Sequence, residues 1–145
     1  LEKSEDGGVS YDPENHENMS HLRADKINGI AKSYEPINVL GEKEGDVLVI
    51  GWGGTYGAIS SAVKTLQDEG FSIASIHLRH LNPLPDDLET LMSSFKKIIV
   101  PELNLGQLST ILKAKYVRDI IGYNKLQGKP FKVAELREQF VKHFS

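Results

Sequence analysis

The sequence predicts an α/β domain of three layers, a mostly parallel sheet with helices on both faces, and three observations predict it. Short apolar runs at 47–50, 73–78 and 98–100 have the length and β-branched content of strands buried on both faces. Each run gives way to a loop marked by glycine or proline, first Gly51-Trp52-Gly53-Gly54, then Asn82-Pro83-Leu84-Pro85, then Pro101 to Gly106. An amphipathic stretch of helical period follows every loop, which is the pattern of strand, crossover helix and parallel strand.

The elements follow in order. Residues 1–13 are polar, contain Gly7, Gly8 and Pro13, and read as a mobile or extended arm. From Glu14 to Lys32, apolar residues at Met19, Leu22, Ile27 and Ile30 keep close to one helical face, with an interruption expected at Asn28-Gly29. Pro36 stops that helix, because the residue before a proline is pushed toward extended geometry. Residues 1–36 are therefore expected to form a polar arm and linker helix, and 37–145 the main domain.

In the main domain the strand Val47 to Ile50 leads through the glycine loop into a helix from about Thr55 to Glu69. Ala58, Ile59, Ala62, Val63 and Leu66 form its inward stripe, Thr55 is its expected N-cap, and Gly70 stands where a left-handed cap is wanted. The strand Ile73 to Leu78 precedes a helix opening at Asp86, where Glu89 suggests a capping box and Leu88, Leu91, Met92 and Phe95 an apolar face. The strand Ile98 to Val100 precedes a helix from Gln107 to Val117, with Leu108, Ile111 and Leu112 turned inward. A further strand is expected at Val117 to Ile121 and a loop at Gly122 to Pro130. The closing helix carries Val133, Leu136, Phe140, Val141 and Phe144 at helical spacing.

Composition narrows the function classes. At 145 residues the chain can bury roughly 70% of the surface its unfolded form exposes, so one sizeable core is expected. A hydrophobic fraction of 39% and a charged fraction of 26% are those of a folded globular protein. No apolar run approaches the ~20 residues of a membrane span, and the acidic, polar start is unlike a signal peptide, so a cytoplasmic setting without a membrane partner is the expectation. A net charge of −3 offers no basic footprint for nucleic acid. Cysteine is absent, which removes thiolate nucleophiles and Cys-ligated iron–sulfur clusters from this chain.

Ligands and partners of such sheets meet the loops at the carboxyl ends of the strands. Three loops qualify: Gly51 to Gly57, Arg79 to Pro85, and Glu102 to Gln107. The first opens like a dinucleotide fingerprint, yet Tyr56 fills the third glycine position and Gly57 falls one place late. His77, Arg79 and His80 stand where an acid would take the ribose hydroxyls, and Arg79 suits a 2′-phosphate. The competing reading of Gly53 and its neighbours is a tight turn that lets helix and sheet approach closely. Trp52 and Tyr56 either cap the core or anchor a neighbouring subunit. Glu102 has three options: to serve a ligand, to cap the helix near Gly106, or to pair with an arginine across an interface. Asn104, Gln107 and Asn82 are neutral hydrogen-bonding groups, suited to recognition more than proton transfer. The five histidines form no H-x-x-x-H pattern and no carboxylate-paired ligand set, and no Ser–His–carboxylate spacing is present. The expectation is a domain with no catalytic and no metal-ligating residues of its own.

Four ordered motifs, VLVIGWGGTYGAI from Val47, HLRHLNPLP from His77, IVPELNLGQL from Ile99 and QGKPFKVAEL from Gln127, resemble the C-terminal region of the α subunit of 2-oxoacid:ferredoxin oxidoreductases, in particular the 2-oxoglutarate type. The segment DPENHENM from Asp12 resembles that family's linker, so the resemblance spans nearly the whole chain. It implies a transketolase C-terminal-like domain, also called core domain II. The complete enzymes oxidatively decarboxylate a 2-oxoacid with thiamine diphosphate and magnesium, pass the acyl group to coenzyme A, and send electrons through iron–sulfur clusters to ferredoxin. The resemblance implies that thiamine is held by other domains of the α and β subunits, and that this domain, with no G-D-G…N motif, organises the assembly. His80 stands where the family commonly has an aromatic, and Gly54 where it often has serine.

Two alternatives stand beside that reading. One is a free-standing NADP-type nucleotide-binding module using the loop 51–57, and the other an interaction domain of unrelated origin.

Overall fold

The computed structural model describes residues 1–144. Two compact units divide the chain, one made of residues 1–35 and 80–86, the other of residues 36–79 and the stretch from 87 onward.

The smaller unit begins with β1 (Glu2–Lys3) and β2 (Val9–Ser10), which pair antiparallel with Glu2 opposite Ser10. The expected extended arm is thus a small hairpin, closed by Gly7 at φ +86 and by the Ser4 N–H donating to the Gly8 carbonyl at 2.8 Å. α1 (Pro13–Gly29) starts where the sequence supplies both signals: Asp12 accepts the Glu14 N–H, and Pro13 fills the first helical position. It passes through Asn28-Gly29 without the expected break and ends in a 3-10 turn, Ile30–Ser33. No residue of α1 is buried. Glu2 receives Arg23 at 2.6 Å and has His16 Nδ1 at 3.6 Å, while His21 lies 3.8 Å from Glu17. Two histidines therefore do sit beside carboxylates: the His16 pairing escapes sequence spacing because Glu2 arrives from the hairpin, whereas His21 and Glu17 are four apart on α1. Tyr34 explains why residues 80–86 belong here, since its ring stacks on His80 at 4.2 Å and its hydroxyl donates to the Pro83 carbonyl. The Asn82–Pro83 peptide is cis.

The larger unit holds β3 (Val39–Leu40), β4 (Gly45–Trp52), α2 (Tyr56–Asp68), β5 (Ile73–Leu78), α3 (Leu88–Ser93), β6 (Phe95–Glu102), α4 (Gln107–Tyr116), β7 (Ile121–Asn124) and α5 (Val133–Val141). One five-stranded sheet runs in the order β3-β5-β4-β6-β7, parallel except for β3. The crossover through α2 runs from β4 to β5 in one direction, and those through α3 (β5 to β6, passing over β4) and α4 (β6 to β7) run in the other. Right-handed connections of opposite direction place their helices on opposite faces, giving the three layers that the sequence predicts.

The alternation of the strands fills both layers. Val47, Val49 and Ile99 pack with Ile59, Ala62, Val63 and Leu66 of α2 and with Leu136 and Phe140 of α5. Leu48, Ile50, Ile98 and Val100 point the other way and are as fully buried, where α3 and α4 lie on β6. α2 ends in a Schellman motif, in which Gly70 at φ +91 donates to the Gln67 carbonyl and Phe71 N–H to Leu66.

Several boundaries differ from the expectation. β4 and β6 each extend two residues past their apolar runs, so Gly51, Trp52, Pro101 and Glu102 are strand rather than loop. Proline is tolerated because the register with β4 ends at Ile99, before Pro101. α3 has no capping box; the Asp87 carboxylate instead accepts the Ile37 N–H at 2.9 Å, and Phe95 opens β6. Ile111 is 46% exposed, not inward. Val117 is not a strand residue but the left-handed end of α4 at φ 47, which moves the last strand to 121–124 and converts the start of the expected loop into strand. Val133 also lies exposed, while Leu136 and Phe140 carry the inward face of α5. Among the described residues no helix is long and apolar enough to cross a membrane.

Candidate functional site

β4 and β6 are neighbours although β5 lies between them in sequence, so the order of strands reverses there, and the crevice beyond their carboxyl ends is where open α/β sheets take ligands. Two of the sequence-predicted residues meet at that point. Trp52 ends β4, Glu102 ends β6, and the indole N–H donates to the Glu102 carboxylate at 3.1 Å. The same oxygen, Oε1, accepts the Leu108 N–H at 2.7 Å, and Oε2 accepts the Ser109 N–H at 3.1 Å. Glu102 is completely buried. Of its three options the structure shows the helix cap, with the carboxylate placed against the positive end of α4.

The loop after Glu102 is fixed residue by residue. Asn104 Oδ1 accepts from the N–H groups of Gly106 and Gln107 at 2.8 and 3.0 Å, an Asx turn that leads into α4. Gly106 has φ +87, and a Cβ there would come within 2.9 Å of Ser109 Oγ, so glycine is needed on both counts. The Lys125 N–H donates to the Glu102 carbonyl at 2.9 Å and holds the loop from the side of β7. Outward this frame presents Leu105, 78% exposed, and Leu103, with Gln107 exposed at the start of α4.

The glycine loop is built from a different constraint. A Cβ on Gly51 would stand 2.6 Å from Ile59 Cδ1, so this glycine permits α2 to lie close on the sheet. Gly53 needs its positive φ of 61 to turn the chain, and neither Gly53 nor Gly54 has a neighbour within reach of a Cβ. Thr55 occupies the N-cap position but does not cap; its buried hydroxyl donates back to the Trp52 carbonyl at 2.8 Å. That bond closes the 3-10 turn Gly53–Thr55, which competes with capping for the same hydroxyl.

Tyr56 is 62% exposed, and its ring meets His77 edge-on at 5.3 Å. His77 was not among the candidates. Its Nδ1 is buried without a hydrogen-bond partner among the described residues. Burial, and secondarily the Arg79 charge, hold its pKa below the ordinary histidine value, partly offset by a hydrogen bond with the Gly53 backbone. The alternation of β5 carries the only sequence signal for this, since His77 sits in an otherwise apolar strand between Ile76 and Leu78. Arg79 follows at the exposed end of the same strand. Asn82 belongs to the smaller unit. The structure thus joins Trp52 with Glu102, and Asn104 with Gln107, and places Tyr56 over His77.

Comparison with known proteins bears on this arrangement. Residues 45–136 match the family model described as pyruvate:ferredoxin oxidoreductase core domain II. The subunit KorA of 2-oxoglutarate oxidoreductase from Mycobacterium tuberculosis is 40% identical over 131 residues, 90% of this chain and 20% of that protein. A solved 2-oxoglutarate:ferredoxin oxidoreductase from Magnetococcus marinus, with 2-oxoglutarate, coenzyme A and succinyl-CoA bound, superposes with a TM-score of 0.93 at 34% identity, covering 100% of this chain and 26% of that one. An inactive β4 tetramer of a split-gene transketolase shares the fold, with a TM-score of 0.55 at 19% identity over 76% of this chain and 42% of its own. The chain spans about a fifth of the length of the curated M. tuberculosis relative. With its strand order, its four motifs and the matched span in agreement, the chain belongs to the pyruvate:ferredoxin oxidoreductase core domain II family.

Proposed function

We propose that this chain is a non-catalytic assembly domain of the α subunit of a thiamine-dependent 2-oxoacid:ferredoxin oxidoreductase, with 2-oxoglutarate as the 2-oxoacid. The complete enzyme would oxidatively decarboxylate that acid to an acyl-CoA and pass electrons to ferredoxin in the cytoplasm. One observation carries the reading: the crevice at which the strand order reverses is bridged by the Trp52–Glu102 hydrogen bond. Among the described residues the one acid at the ends of β4 and β6, Glu102, spends its oxygens on an indole and two amides, so it is engaged in holding the loops and not placed to move a proton.

The donor set does not suit the cofactors of such an enzyme. Among the described residues no three His, Asp or Glu side chains converge as metal ligands, and the sequence has no cysteine for an iron–sulfur cluster. Thiamine diphosphate, magnesium and the clusters would then be held by the other domains of the α subunit and by the β subunit. On this reading residues 37–145 are the transketolase C-terminal-like domain and 1–36 its arm and linker helix. The partner-facing loops are those carrying Trp52, Tyr56 and Leu105, set in place by Glu102, Asn104 and Gln107.

The test uses the complete enzyme. Tyr56→Ala combined with Leu105→Ala is expected to weaken subunit association about tenfold, because exposed aromatic and aliphatic anchors supply most interface energy. Unchanged assembly and activity would overturn the proposal. Titration with NADP or NAD separates it from the nucleotide-binding reading, for which micromolar binding is required.

A further inference from the structure

Residues 80–84 follow β5 and belong to the smaller unit, and they are poor in bonds of their own. Among the described residues none of the five makes a backbone-to-backbone hydrogen bond. The one hydrogen bond that reaches them comes from far back in the sequence, from the Tyr34 hydroxyl to the Pro83 carbonyl at 3.3 Å. A connection so sparsely bonded falls at the low-stability end of a fold. Yet Pro83 and Leu84 are buried, so the segment is packed and not a free loop.

The Tyr34 side chain grips this segment at two points. Its ring stacks on that of His80, with centroids 4.2 Å apart and planes 12° from parallel, and its hydroxyl reaches Pro83 three residues further on. The base of the grip is itself closed. The Tyr34 N–H donates to the Ala31 carbonyl at 3.2 Å and the Ser33 hydroxyl to the Ile30 carbonyl at 2.7 Å, which completes the 3-10 turn Ile30–Ser33. Tyr34 leaves that turn extended, at φ −72 and ψ 142, and Pro36 keeps Glu35 extended as well. The short stretch carrying the ring therefore has little freedom to move the stack.

Asn82 lies between the two gripped positions. It is exposed, and its side chain makes no hydrogen bond among the described residues. The amide keeps both its donor and its acceptor for a group outside the chain.

We propose that the turn Ile30–Ser33 with Tyr34 is a strap on the loop after β5, and that Tyr34 is a positioning residue which, through His80 and Pro83, sets where Asn82 presents its amide. The order of this loop is then imposed by the segment that enters the main domain and not by the strand that precedes the loop. The inference goes beyond the assembly role and does not depend on it, because it concerns contacts within this chain.

Backbone nitrogen-15 relaxation of this chain tests the strap, since it reads the picosecond-to-nanosecond order of the Leu81, Asn82 and Leu84 amides against those of β5. In the wild type the two sets are expected to be equally ordered. Tyr34→Ala and His80→Ala are each expected to lower the loop amides to an order parameter of about 0.6 or less, with β4, β5 and β6 unchanged. His80→Phe, which keeps a ring for the stack, should hold the loop at wild-type order, and Tyr34→Phe, which loses the hydroxyl alone, should fall in between. The double variant of Tyr34→Ala and His80→Ala should be no looser than Tyr34→Ala, because both changes remove one shared contact. A loop as ordered in Tyr34→Ala as in the wild type overturns the proposal. So does a Leu84→Ala variant that loosens the loop when Tyr34→Ala does not, because burial would then be the sole restraint. Loss of order in the sheet together with the loop in Tyr34→Ala overturns it too, by making Tyr34 a support of the whole fold.

Discussion

Glu102 shows how much one residue can set. Its carboxylate receives three N–H groups in a site without water access, and each donor would be stranded if the acceptor were lost. Glu102→Ala is expected to cost about 2–4 kcal/mol in urea unfolding, by the penalty for unpaired buried donors. Glu102→Gln should fare little better, because its amide group would present hydrogens to at least one of those N–H groups. Gly51 makes the complementary case for packing. Gly51→Ala should lose about 1–3 kcal/mol through contact with Ile59 Cδ1, and Ile59→Val, which removes that methyl, should recover most of the loss in the double variant. His77 adds a pH dependence. Its folded-state pKa lies below the unfolded value of 6.5, so between the two values the unfolded chain binds more protons and stability falls as pH is lowered through that window. Thermal unfolding followed across this range should show the fall, reduced in His77→Asn; His143, lowered by burial and by Lys97 and Lys142, contributes in the same sense and leaves a remainder.

At the level of elements, helix ends decide more than helix centres. α2 and α4 are both flanked by left-handed residues, but Gly70 accepts that conformation freely whereas Val117 does not. Val117→Gly should add about 1 kcal/mol to stability in chemical denaturation of this chain, the strain relieved exceeding the entropy that glycine costs. The N-termini show a second division of labour. Thr55 and Asp87 have the residue types of N-caps, yet each spends its side chain on another bond, Thr55 on the preceding turn and Asp87 on the Ile37 N–H. α4, without a capping residue at Gly106, is capped by Glu102 from the strand before it. A local pattern could not disclose this, because the hydroxyl or carboxylate chooses among partners that only the folded chain brings near.

For the molecule as a whole, strand order is what turns motifs into a site. The apolar runs, the glycine and proline loops and the helical spacing determined that the chain is α/β with a mostly parallel sheet, because buried strands and amphipathic helices write their periods directly into residue order. The same residues placed Trp52, Tyr56, Glu102, Asn104 and Gln107 at strand ends, which follows from where each apolar run stops. Which strands are neighbours is not a local property. β4 lies beside β6 only because the connection from β5 crosses back over it, and that adjacency alone joins Trp52 to Glu102 across fifty residues of sequence. Exposure was likewise decided by tertiary packing: Ile111 keeps helical register with Leu108 and yet faces outward, since a helix touching one sheet can bury only about half its circumference. Sequence periodicity fixes what each segment wants to hide, and the arrangement of segments determines which of those residues the fold buries and which it leaves exposed.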